Sequence, residues 1–96
     1  EGDLIAKALG DKKVIILQNH GILTTGPSVD IALWFYTSME RCCQAQLMAD
    51  AAGETQLIPH DTAIKTRSFI ANDVAAWASF QPAFDMICKK EPDLFD

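Results

Sequence analysis

His20 has the strongest claim to chemistry in this 96-residue sequence. It lies in "LQNHGILTTG", residues 17–26, after the apolar run "VIIL" and between an asparagine and a glycine. An imidazole just past a buried strand can project from a sheet edge, where ligands often bind. Spacing taken alone favours a plainer reading, a histidine exposed in a turn, because catalytic zinc needs three protein ligands and an open position. The other histidine, His60, lies 40 residues further on at an apparent helix start and reads as a capping or solvent-exposed residue.

The remaining reactive residue types form no constellation. Cys42 and Cys43 have no neighbouring base and sit in an apolar helical stretch, so they read as inert core thiols. With Cys88 they make an odd count without framework or CxxC spacing, which points to reduced thiols and an intracellular, cytoplasmic setting. Glu40 and Arg41 suit surface or interhelical ion pairs. Trp34, Phe35, Trp77, Phe80 and Phe84 lack interleaved basic residues, so they belong to a core or an interface and not to a base-stacking platform. Gly21 and Gly26 do not build a phosphate-cradling loop.

Charge and hydropathy exclude further classes. A net charge of -5 and a pI near 4.8 argue against nucleic acid or anionic lipid as a partner, since phosphate binding needs clustered Lys and Arg. The longest charge-free apolar stretch, Ile31 to Met39, is about half of the ~20 residues that a membrane span requires. A soluble globular chain is expected. It opens on "EGDLIAKALG" instead of methionine, which reads as a cut upstream and hence as a fragment.

The elements that must position His20 follow from periodicity and punctuation. "DLIAKALG" predicts a short helix ending at Gly10, and "KVIILQN" a strand buried on both faces. "ILTTG" predicts a second strand, joined through "NHG" by a tight hairpin or a bulged continuation in which Gly21 takes a conformation that other residues avoid. A long helix should run from about Val29 to Ala52, capped by Ser28, favoured at its start by Asp30 and ended by Gly53. Its apolar stripe is Ala32, Phe35, Met39, Cys43 and Leu47. After the connector "ETQLIP", a helix "DTAIKTRSFIA" and another beginning at Asn72-Asp73 are predicted. The second carries a stripe of Val74, Trp77, Phe80, Phe84 and Ile87, with Pro82 bending or interrupting it, and the tail "EPDLFD" is expected to be loosely held.

The succession "AKALG", "KVIILQNHGILTTG" and "VDIALWFYTSMERCCQAQLMADAAG" resembles the class II aldolase/adducin domain, in which a strand ends in an Asn-His-Gly signature, a strand returns to glycine, and a long helix follows. The resemblance covers about residues 4 to 53. Residues 54 to 96, with "FQPAFDMI", resemble the C-terminal helical extension of fungal-type members. It implies the C-terminal portion of a three-layer α/β/α domain, an antiparallel-rich sheet flanked by helices, occupying residues 1–96 as one piece.

The same resemblance implies that His20 is the third zinc ligand, aimed by a loop that Asn19 and Gly21 shape. The other two ligands, a His-x-His motif, and a catalytic carboxylate belong to an upstream part, as do the phosphate-binding loops, so the site carried by these residues is incomplete. In catalytic members zinc acts as a Lewis acid that stabilises an enediolate of a small hydroxylated, sugar-phosphate-like carbonyl substrate, and subunits assemble as homo-oligomers, commonly tetramers. The family also includes adducin, whose domain serves actin and spectrin association without catalysis, and this is the alternative function. Zinc titration of the 96-residue chain is expected to show at most weak binding. Tight stoichiometric zinc that survives His20→Ala would contradict the assignment.

Overall fold

All 96 residues are described by the computed structural model. Helix α1 (Gly2–Leu9) leads into a hairpin of β1 (Val14–Leu17) and β2 (Gly21–Thr24), followed by the long α2 (Val29–Ala52), then α3 (His60–Ile70), α4 (Asp73–Lys90) and a short 3-10 turn (Pro92–Phe95). The α/β expectation holds: the chain is helix-rich, with a small antiparallel sheet against which helices pack.

Local chemistry explains the boundaries. Gly10, at φ 56, ends α1 in a backbone conformation open to glycine, and its N–H donates to the Ala6 carbonyl. The hairpin pairs Val14 with Thr24, Ile15 with Leu23, Ile16 with Ile22 and Leu17 with Gly21. Only Gln18, Asn19 and His20 remain to form its loop. Ser28 caps α2 by accepting the Ile31 N–H at 3.4 Å, and Asp30 sits in the first turn where the helix dipole favours it. Asn72 caps α4 by accepting the Ala75 N–H at 2.8 Å.

The hairpin is fixed to α2 at its base. Thr24 Oγ1 donates to the Ala32 carbonyl at 2.8 Å, and Thr25 N–H donates to the Lys13 carbonyl at 2.9 Å. Between these anchors the chain passes so close to α2 that a Cβ on Gly26 would lie 2.9 Å from Ile31 Cγ2 and 3.0 Å from the Ala32 nitrogen. Helix α4 then packs on α2. Ala76, fully buried, meets Ile31 and Phe35, each only 7% exposed, with Val14, Trp34 and Ala71 packed around them. At the other end of this contact Gln81 Nε2 donates to Asp30 Oδ2 at 2.9 Å, so the two helices run in opposite senses.

The core is smaller than the apolar pattern predicts, and it sits at one end of α2. Of the expected α2 stripe, Phe35 is buried and Ala32, Met39 and Cys43 are half-buried, but Leu47 is 71% exposed. Cys42 is an exposed thiol and not a core one. On α4 the buried residue is Ala76, absent from the expected stripe, whereas Val74 is 77% and Trp77 is 50% exposed. A small side chain lets two helices approach closely, so the contact runs along alanine and the larger residues stand beside it. The strand expected to be buried on both faces is only half-covered. Ile16 shares the Val14 side of β1 but is exposed, because the anchors to α2 all lie at the base of the hairpin.

Three further expectations are corrected. Pro82 does not interrupt α4, which is continuous from Asp73 to Lys90. The carbonyl that a proline deprives of its helical partner belongs to exposed Ala78, where water can bond to it. The acidic tail is ordered as a 3-10 turn, with Phe95 edge-on to Phe84 at 6.3 Å between ring centres. Glu40 and Arg41 form no ion pair. The two pairs present are Lys12 with Asp11 and Lys13 with Asp73.

The radius of gyration, 16.0 Å, exceeds the roughly 12.5 Å of a compact chain of this length, because the second half of α2 extends past the packed end. Phe35→Ala should therefore destabilise the chain by about 3 kcal/mol in urea unfolding. Leu47→Ala, on the same helix, should change stability by less than about 0.5 kcal/mol.

Candidate metal-ligand site at the hairpin tip

His20 occupies the last position of the hairpin loop. Its backbone N–H donates to the Leu17 carbonyl at 3.1 Å, which closes a β-turn over Gln18 and Asn19. Its ring folds back so that Nδ1 lies 3.0 Å from the Gln18 carbonyl oxygen. A carbonyl only accepts, so this contact is made by the tautomer that carries its proton on Nδ1. Nε2 then keeps its lone pair, and the residue is exposed. A backbone carbonyl holding one ring nitrogen while the other is presented as a base is the arrangement found behind metal-ligating histidines.

The turn has a feature that its composition only partly announces. Asn19, at φ 61, is the only non-glycine residue with positive φ, and Gly21 follows at φ 130. The glycine behaves as expected from its type; the asparagine's left-handed backbone went unassigned in the sequence, although Asn-Gly-rich turns permit it.

No group of three or more His, Cys, Asp or Glu residues is gathered that could hold a metal ion. His60 opens α3 as an exposed residue and makes no side-chain cap; the cap position belongs to Pro59. Cys42, Cys43 and Cys88 are free thiols on α2 and α4.

At the opposite end of the hairpin, Lys13 ties three elements together. Its amine donates to the Ala71 carbonyl, lies 3.6 Å from an Asp73 carboxylate oxygen, and sits 4.8 Å from the centre of the Phe35 ring. An open hollow of about 320 Å³ lies beside it, floored by Phe35 and walled by polar residues such as Thr25 and Asp73. Asp11, on its rim, is held below the usual carboxylate range by a hydrogen bond from Lys12 and by that ammonium's charge. It is fully exposed and touches nothing else that the hollow could use. The hollow is thus a seam between elements, remote from the histidine.

A hairpin packed on a long helix, with an Asn-His-Gly tip that presents an imidazole, makes this an α/β chain with one exposed histidine at the end of its sheet. The Class II Aldolase and Adducin N-terminal domain family matches residues 1–47. L-fuculose 1-phosphate aldolase from Glaciozyma antarctica PI12 superposes with a TM-score of 0.92 at 40% identity, over 97% of this chain and 37% of that one. Decarboxylase NovR from Streptomyces niveus is 39% identical over 94 residues, 98% of this chain and 35% of that protein. A shorter match, 40% identical over 58 residues, links 57% of this chain to 8% of alpha-adducin from Rattus norvegicus. The chain belongs to the class II aldolase/adducin family. It spans about a third of the length of the aldolase and of the decarboxylase, and the similarity to both continues through α3 and α4, beyond the signature region.

Lys13→Met keeps the aliphatic stem but removes the hydrogen bond, the ion pair and the contact with the ring. It should lower stability by about 1 to 2 kcal/mol in urea unfolding, and most of that loss should persist in high salt because the hydrogen bond and ring contact are screened less than the half-exposed ion pair.

Proposed function

We propose that this chain forms part of a divalent-metal-dependent enzyme of the class II aldolase type, which makes or breaks a carbon–carbon bond beside the carbonyl of a small hydroxylated compound. The observation that carries the reading is the His20 ring, held through Nδ1 by the Gln18 carbonyl with Nε2 free. An imidazole so held suits zinc or a similar borderline ion. Bound there, a divalent ion supplies Lewis-acid stabilisation of negative charge developing on a substrate oxygen.

The roles of this chain's own residues are narrower. His20 donates one lone pair and, through its tether, fixes the direction of that lone pair. The hairpin holds the loop at a set distance from α2. One ligand does not make a catalytic centre, so the remaining ligands and the acid/base group are assigned to residues outside these 96, and the chain alone is proposed not to turn over substrate. The names of the similar proteins support chemistry at a carbon–carbon bond: one is an aldolase and one a decarboxylase, which breaks such a bond. A sugar phosphate is the substrate class that the aldolase likeness favours, and a cytoplasmic setting accords with three free thiols.

Homo-oligomeric assembly belongs to the same proposal. Leu57 is 87% and Phe69 is 67% exposed, and the total accessible surface of 8006 Å² compares with about 5,400 Å² for a compact monomer of this mass. Such apolar area calls for cover by the rest of a larger polypeptide and by neighbouring subunits. No helix is long and apolar enough to cross a membrane.

The adducin-like alternative, a non-catalytic module for actin or spectrin, draws on the 58-residue match to alpha-adducin. Metal analysis of the full polypeptide separates the two. The enzyme reading expects stoichiometric zinc or another divalent ion, and His20→Ala should weaken metal affinity by about a hundredfold or more while circular dichroism is unchanged. Metal retained with equal affinity by the variant would remove His20 from the site. A metal-free protein that co-sediments with actin or spectrin would establish the alternative.

A further inference from the structure

We propose that Asn19 is a positioning residue for His20, acting through its backbone: the left-handed conformation of Asn19 points the Gln18 carbonyl at the imidazole and so selects the tautomer that leaves Nε2 free. This deepens the metal-ligand reading of His20 and rests on it for its purpose, though the geometric part stands independently.

The inference follows from the turn. Leu17, Gln18, Asn19 and His20 are its four residues, closed by the His20 N–H on the Leu17 carbonyl. Asn19 occupies the third position with φ 61, and Gln18 is not among the residues of positive φ. That combination matches the type II turn, whose third residue has φ of about +80°, against about −90° in type I. The two types differ by a turnover of the central peptide plane. Here that plane joins Gln18 to Asn19, and its oxygen is the Gln18 carbonyl that meets His20 Nδ1 at 3.0 Å. Restoring a negative φ at position 19 would carry that oxygen to the opposite face of the turn and leave the ring without its acceptor.

Residue type at position 19 therefore reaches the imidazole without touching it. Asparagine and glycine enter the left-handed region readily, while alanine resists it because its Cβ crowds the backbone. Gly21, the positive-φ residue at the start of β2, cannot substitute for this effect, because its peptide planes join it to His20 and Ile22 and do not include the Gln18 carbonyl.

The test is a tautomer measurement on the full polypeptide, labelled with ¹⁵N at histidine and kept metal-free in alkaline buffer. Long-range ¹⁵N–¹H correlation distinguishes Nδ1–H from Nε2–H, and the signals lost in His20→Gln are those of His20. The wild type should show Nδ1–H as the major form. Asn19→Ala should lower the ratio of Nδ1–H to Nε2–H by about three- to fivefold, and Asn19→Gly should restore the wild-type ratio. Should Asn19→Ala not fold, Asn19→Ser, also less tolerant of the left-handed region than asparagine, should lower the ratio in the same direction.

An unchanged ratio in the alanine and serine variants would overturn the proposal. So would a glycine variant as disturbed as alanine, since the side chain and not the backbone would then be responsible. Zinc titration of the same variants provides the second arm, in which affinity should fall with Asn19→Ala and recover with Asn19→Gly. If the tautomer follows residue 19 while neither wild type nor variant binds a divalent ion, the positioning role holds and the metal-ligand reading alone fails.

Discussion

The ring of Phe35 is buried in the first half of α2, with the Lys13 amine 4.8 Å from its centre and Ala76 of α4 packed in the same cluster. Three parts of the chain that are distant in sequence become neighbours only at this point: the start of β1, the long helix and the corner between α3 and α4. Lys13 spans all of them, because its stem leads out of the strand while its head bonds the Ala71 carbonyl and pairs with Asp73. Only three residues of the chain are buried, and all of them belong to this cluster. The orientation of the hairpin, and so the place where its tip is presented, derives from this junction.

Division of labour along the hairpin follows. Its base is crowded, with Thr24 bonded to α2, Gly26 against Ile31, and Lys13 over an aromatic ring. Its tip is solvent-facing and held only by its own turn. A rigid root with an accessible end suits a residue that must reach a ligand while its backbone stays fixed. The tether from Gln18 matters in this setting, since an exposed imidazole without it would rotate and exchange its proton between the two nitrogens.

Much of the fold was legible because its punctuation is chemical and local. Ser28, Asn72, Gly10 and Gly53 stand where their side chains or conformations are required, and "VIIL" and "ILTT", separated by turn-forming residues, pointed to a hairpin or a bulged continuation, of which the chain forms the hairpin. Burial was less legible. Leu47 and Val74 belong to good apolar stripes and lie exposed, while Ala76, which no stripe contained, is completely buried. Periodicity says which residues share a face of a helix, but not how far along its length another element reaches. The site divides in the same way. His20 and Gly21 could be picked out by type and position, and the family likeness of their surroundings followed from order. The handedness of Asn19 and the direction of the Gln18 carbonyl depend on the loop being three residues long, which only the strand register reveals.

That register has a consequence for how the chain can change in length. Between Lys13 and Gly26 every residue is either paired across the hairpin, placed in its turn, or pressed against α2, and successive strand residues alternate faces. A single insertion there would turn Val14 or Thr24 away from the helix, or would move the histidine off the final position of its loop. The connector from Glu54 to Ile58 is exposed, belongs to no regular element, and is bonded to α2 by Thr55, whose hydroxyl donates to Asp50. Lengthening or shortening is far better tolerated in that connector, so homologues should vary in length after the long helix and keep the hairpin constant.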